Sequence, residues 1–155
     1  AYCPECHLVQ LTHTVAPVRM FDEYLYFSSY SETVLDHARA MAASLTEHLR
    51  LGPGCSVLEI ASNDGYLLQH VVRRGIPALG VEPARNIARV AVERGIPTID
   101  EFFGRTLAER IVERSGRADL VVANNVFAGC IGRTDTLVEL RRHLDASFKL
   151  MEETP

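Results

Sequence analysis

The order of elements along this chain predicts an α/β fold built on a parallel, doubly wound sheet. Three observations carry that prediction. After Gly52-Pro-Gly54 the strand-like runs are short and without alternation, as strands buried on both faces are. Stretches of about ten residues with helical periodicity separate them, the length of a crossover helix. Two of those stretches close on single glycines, Gly75 and Gly95, where a helix C-terminus takes its cap.

Residues 1–30 are turn-rich and aromatic. Cys3-Pro-Glu-Cys6 leads into a strand-like run at 7–11, and residues 21–30 carry most of the tyrosines. Ser31 is placed to cap a helix reaching about residue 50. Val34, Ala38, Met41, Leu45 and Leu49 follow at three- and four-residue steps, the spacing of one buried stripe. Gly52-Pro-Gly54 then breaks the chain. Strands are predicted at 56–60, 78–81, 97–99 and 119–123, and helices at 66–74, 86–94 and 106–114. A further helix is predicted at 137–144, and 146–155 has no clear destination. The chain thus divides into an N-terminal segment at 1–30, a linking helix at 31–51, a sheet domain at 52–128 and a tail of different character at 129–155.

The whole is 155 residues, 47% hydrophobic and 23% charged, a globular composition of about one domain. A formal charge of −4 offers no basic footprint for nucleic acid or an anionic membrane. No apolar run reaches the ~20 residues of a membrane span. The opening residues lack the basic start and apolar core of a signal peptide. Four cysteines in such a chain do not suggest a disulfide framework, so a reduced, cytoplasmic setting is the expectation.

In a doubly wound sheet, ligands lie outside the carboxyl ends of the strands, near the point where strand order reverses. The first such turn here is Glu59-Ile-Ala-Ser-Asn-Asp-Gly65, and Glu82 ends the second strand about 20 residues on, where an acid takes the hydroxyls of a ribose. Asn124 and Asn125 end the fourth strand, where their side chains would face the same crevice. The dinucleotide fingerprint G-x-G-x-x-G is absent, which disfavours a nicotinamide oxidoreductase. A pyrophosphate needs bare backbone amides at close approach, and Ala61, Ser62, Asn63 and Asp64 crowd that approach. A ligand with a ribose but no phosphate has no such need, and S-adenosylmethionine is that ligand. The competing reading of Asn63-Asp64-Gly65 is a helix-starting turn with no ligand.

The stretches CPECHLVQL, YLYFSSYSETVLDHA, VLEIASNDGYLLQHVVRRGIPALGVEPARNIARVA and DLVVANNVFA together resemble the S-adenosylmethionine-dependent sugar C-methyltransferases. Those enzymes methylate a ring carbon of nucleotide-linked deoxysugars. The resemblance covers about residues 1–128. It implies a Rossmann-like class I methyltransferase sheet, incomplete here, preceded by the remnant of a small zinc-binding domain. It implies that Glu59, Ala61, Ser62, Asn63 and Gly65 wrap the methionine end of the cofactor. Glu82, with Pro83 behind it, would bind the ribose. Asn86 and the 100–102 region, Asp100 included, would lie near ribose and adenine, and Asn124 and Asn125 would line the floor. Tyr26, Ser28 and Ser29 would close over cofactor and sugar, with Tyr26 near the reacting carbon as the candidate catalytic residue. Without the resemblance, hinge packing is the plainer reading of the tyrosines. His37 reads as a helix-surface histidine.

Cys3-x-x-Cys6 has the spacing of half a tetrahedral zinc site, and zinc needs four ligands. The resemblance implies another cysteine pair upstream; two unliganded thiols are the alternative. After Asn125-Val-Phe-Ala128 the family continues with a histidine where this chain has Gly129, and 130–155 does not resemble the family. The expectation is therefore a truncated or frame-disrupted member that binds S-adenosylmethionine weakly and does not turn over its nucleotide-sugar substrate. The alternative is a non-catalytic cofactor-binding or scaffold fragment.

Overall fold

The computed structural model describes residues 1–124 apart from 10, 11, 14, 15 and 22. In chain order the elements are α1 (Pro17–Met20), a 3₁₀ turn (Ser28–Tyr30), α2 (Glu32–His48), β1 (Val57–Ile60), α3 (Leu68–Val72), β2 (Ala78–Val81), α4 (Arg85–Glu93), β3 (Thr98–Ile99), α5 (Arg105–Ser115) and β4 (Leu120–Val122). The four strands form one parallel sheet in the order β3-β2-β1-β4. The predicted sheet is therefore present, with β1 at its centre, paired to β2 from Val57↔Ala78 and to β4 from Val57↔Leu120.

Alternation along β1 and β4 splits the core in two. Val57, Leu120 and Val122 pack with Ala38, Ala42 and Leu45 of α2 and with Leu68 and Val71 of α3. Leu58 and Val121 face the other way, onto Leu107 and Ile111 of α5. Both faces are covered, which is why the strands read without alternation. The α2 stripe is buried through Ala38 and Leu45, with Met41 and Leu49 partly so, and His37 is exposed. Ser31 caps α2, its Oγ accepting the Val34 amide at 3.4 Å.

Three local expectations change. The run at 7–11 is not a strand in its described part: Val9 makes an isolated antiparallel bridge to Tyr2. The helix expected over 66–74 narrows to Leu68–Val72, with turns on either side. The segment 16–30 contains α1 and the 3₁₀ turn, neither of which was predicted. The expected helix at 137–144, Asn125, Cys130 and the departure at Gly129 lie outside the described residues. Among the described residues no helix is long and apolar enough to cross a membrane.

Candidate active site

From β1 the chain steps outward through β2 to β3, then returns to the far side of β1 as β4. The reversal lies between β1 and β4, so the crevice opens beyond their carboxyl ends. Glu59 is in β1, residues 61–65 form the turn after it, Glu82 follows β2 and Asn124 follows β4. Most of the acids and amides selected from the sequence therefore stand at one edge of one sheet.

The turn is held in an unusual shape. Ala61 and Asn63 have φ of 53° and 50°, left-handed values that cost a non-glycine residue about 1–2 kcal/mol each, and Gly65 has φ 78°. Two interactions support it. Glu82 Oε2 accepts the Asn63 amide at 3.0 Å while its Oε1 accepts the Ala84 amide at 2.9 Å. Ser62 is wholly buried over Gly80, where a Cβ would come 2.4 Å from Ser62 Oγ. Glu82, only 3% exposed, thus braces the turn in addition to any role toward a ribose.

Three carboxyl groups, Glu59, Asp64 and Glu82, are buried here. Burial pushes the Glu59 carboxyl well above its ordinary value, with the charges of Glu82 and Asp64 adding to the shift. Burial also raises Glu82, and the Ala84 and Asn63 amides oppose that rise. Glu59 Oε2, Asp64 Oδ1 and Ser62 Oγ are buried without a hydrogen-bond partner among the described residues. Unpaired buried acceptors are costly.

Tyr66, which the sequence did not single out, belongs to this crevice. Its hydroxyl accepts from Asn124 Nδ2 at 3.4 Å. Burial and the Glu59 charge push its pKa up to about 12, so it stays a neutral hydroxyl at any working pH. The available signal was its place just after Gly65; a tyrosine opening a helix is more often core.

Residues 24–30 cross the turn as a strap. Asn63 Oδ1 accepts the Ser28 amide at 2.8 Å, and Asn63 Nδ2 donates to the Tyr26 carbonyl at 3.0 Å. Asn86 does the same for Tyr24, accepting its amide at 3.2 Å and donating to its carbonyl at 2.8 Å. Ser29 Oγ donates to Asp64 Oδ2. Ser28 and Ser29 are thereby brought to the turn, and the Tyr26 side chain stays 55% exposed. Both ends of the Asn86 amide are occupied by the strap. Pro83 is partly buried between Glu82 and Ala84, while Asp100, at the end of β3, is exposed and paired with Arg85 at 3.8 Å.

At the N-terminus the backbone amides of Cys6 and Glu5 and the Cys6 thiol hold the Cys3 thiol below its ordinary pKa. Among the described residues no group of three or more metal-ligating side chains is assembled. The two thiols supply half a tetrahedral set, which does not hold zinc by itself.

No protein-family model matches the chain. Over 126 residues, 81% of the chain, it is 36% identical to C-methyltransferase NovU of Streptomyces niveus. The chain belongs to the family of that C-methyltransferase. It spans 30% of that relative's length. Among solved structures it resembles Streptomyces venezuelae DesVI, with TM-score 0.54 and 16% identity over 81% of this chain and 55% of that one. It also resembles the sugar N-methyltransferase KedS8 from Streptoalloteichus sp ATCC 53650 at TM-score 0.52 and 18% identity, over 89% and 54% of the two chains. A third is the plantazolicin methyltransferase BpumL in complex with SAH, at TM-score 0.51 and 15% identity over 76% and 45%. At these identities the likeness is one of fold, the Rossmann-like methyltransferase fold expected from the sequence.

Proposed function

We propose that this chain carries the cofactor-binding part of an S-adenosylmethionine-dependent C-methyltransferase acting on a nucleotide-linked ketosugar, in the cytoplasm. The observation that supports it most is the set of buried carboxyls, Glu59, Asp64 and Glu82, around a turn without a phosphate-cradling glycine run. When bound, the cofactor supplies an electrophilic methyl group on a cationic sulfur. Glu59 Oε2 and Asp64 Oδ1, unpartnered among the described residues, are the oxygens that would meet that positive charge, and Glu82 would offer its remaining lone pairs to ribose hydroxyls. Asn124 and the neutral Tyr66 hydroxyl line the far wall. Tyr26, carried on the strap, is the candidate to face the reacting carbon.

Methylation of a sugar carbon requires loss of a proton beside the ketone, followed by attack of the resulting enolate on the methyl group. The assignment to carbon rather than nitrogen rests on the identity to NovU. Zinc at Cys3 and Cys6 is a further proposal of the same reading, and needs two ligands beyond these thiols.

Isothermal titration of the chain with S-adenosylmethionine is the test. Binding lost in Glu82→Ala, with the far-ultraviolet circular dichroism of the native chain retained, is the expected result. Strong binding indifferent to that change would overturn the site.

A further inference from the structure

Arg94 stands just after α4, and the methyltransferase reading assigns it nothing. Its Nη1 donates to three oxygens: Asp64 Oδ2 at 3.0 Å, the Asp64 carbonyl at 3.2 Å and Ser29 Oγ at 3.1 Å. One guanidinium therefore joins the end of α4, the turn after β1 and the strap. The Asp64 side chain it pairs with is fully buried, while the Arg94 side chain is 42% exposed. Ser29 Oγ donates to the same Asp64 oxygen, so serine, aspartate and arginine close a small ring of polar contacts.

We infer that Arg94 is a positioning residue, which acts through Asp64 and Ser29 to dock the strap over the crevice. The two asparagines grip the strap at Tyr24, Tyr26 and Ser28, all through its backbone. A backbone grip reads no side chain, so those bonds alone do not select which side chains the strap presents. The Ser29 hydroxyl, held by Arg94 and Asp64, is a side-chain contact that adds to those backbone bonds and fixes the register where the strap crosses the turn. With that contact in place, Tyr26 is presented at one position above the turn. The inference rests on the proposed function for its catalytic meaning, but the docking itself is a property of the folded chain.

Neutralising a buried carboxylate is the plain structural role, and the experiment separates it from positioning. Arg94→Met, Arg94→Lys and the double variant Asp64→Asn with Arg94→Met are compared with the native chain. Three quantities are read: the melting temperature, the exchange rate of the Ser28 amide hydrogen, and the affinity for S-adenosylhomocysteine. Arg94→Met is expected to lower the melting temperature, speed Ser28 exchange about tenfold and weaken binding about tenfold, the effect of losing hydrogen bonds to a charged group. The double variant removes the orphaned charge, so its melting temperature recovers while Ser28 exchange stays impaired; affinity is compared only in the two single variants, because Asp64 itself belongs to the proposed cofactor site. Lysine keeps the charge but ends one bond short of the Nη1 position. Arg94→Lys therefore holds a near-native melting temperature with faster Ser28 exchange, even if the methionine variant fails to fold. Recovery of Ser28 protection in the double variant, or native protection in Arg94→Lys, would reduce Arg94 to a counter-charge and overturn the inference. A native chain that protects Ser28 but does not bind S-adenosylhomocysteine would sink the cofactor proposal and leave the docking role standing.

Discussion

Asn86 and Asn63 use their side-chain amides as one more strand would use its backbone, giving the strap a donor and an acceptor at each grip. The resemblance suggested a place near ribose and adenine for Asn86. The structure gives its amide to Tyr24, 62 residues earlier in the chain. No local pattern could show that, because a bond between positions so far apart leaves no periodicity in the sequence. Glu82 was legible for the opposite reason: an acid at the end of a strand about 20 residues after the first turn has a defined place in this fold. Replacing Asn86 with alanine removes two hydrogen bonds at a partly buried site, and is expected to cost about 1–3 kcal/mol. Its second signature is faster chymotrypsin cleavage at Tyr24, Leu25 and Tyr26, where the strap is lined with aromatic and leucine sites. Urea denaturation and timed proteolysis check both; a destabilised variant with an uncleaved strap would mean that Asn86 serves only α4.

Among the elements, β2 and β4 declared themselves through apolar runs without alternation, and β1 did so despite Glu59, because helices cover both faces of the sheet. The strap did not, since its order comes from side chains on other elements. The turn at 61–65 was legible as a site but not as a shape: alanine has no preference for the left-handed region that Ala61 adopts. Gly65 is the position where shape leaves no choice. Its φ is 78°, and a Cβ there would lie 2.3 Å from Ile96 Cδ1. Gly65→Ala must strain the backbone and push Ile96 out of a core in which it is 2% exposed. The expected loss is about 2–4 kcal/mol, from overpacking added to the left-handed penalty. Chemical denaturation reads it, and a companion Ile96→Val should recover part of the loss by making room. A Gly65→Ala chain as stable as the native one would show that the turn adopts another conformation.

For the molecule as a whole, the buried acids couple folding, ligand and pH. The folded Glu59 carboxyl holds its proton to higher pH than the unfolded one does. Where the native state binds more protons than the unfolded state, stability falls as pH rises. Its contribution is therefore flat below the ordinary carboxylate range, declines above it, and levels off beyond the raised folded value. Glu59→Gln stays neutral throughout, so its stability should match the native chain near pH 4 and exceed it increasingly at higher pH, as thermal melts across that range would show. The same group should make cofactor binding proton-linked. A cationic sulfur or ammonium beside Glu59 favours the charged carboxylate, which releases the proton held in the free protein. The heat of S-adenosylmethionine binding should then vary with the ionisation enthalpy of the buffer in the native chain and much less in Glu59→Gln. If both chains release the same number of protons, the linked group is not Glu59, and Glu82, the other carboxyl that burial raises, becomes the residue to change.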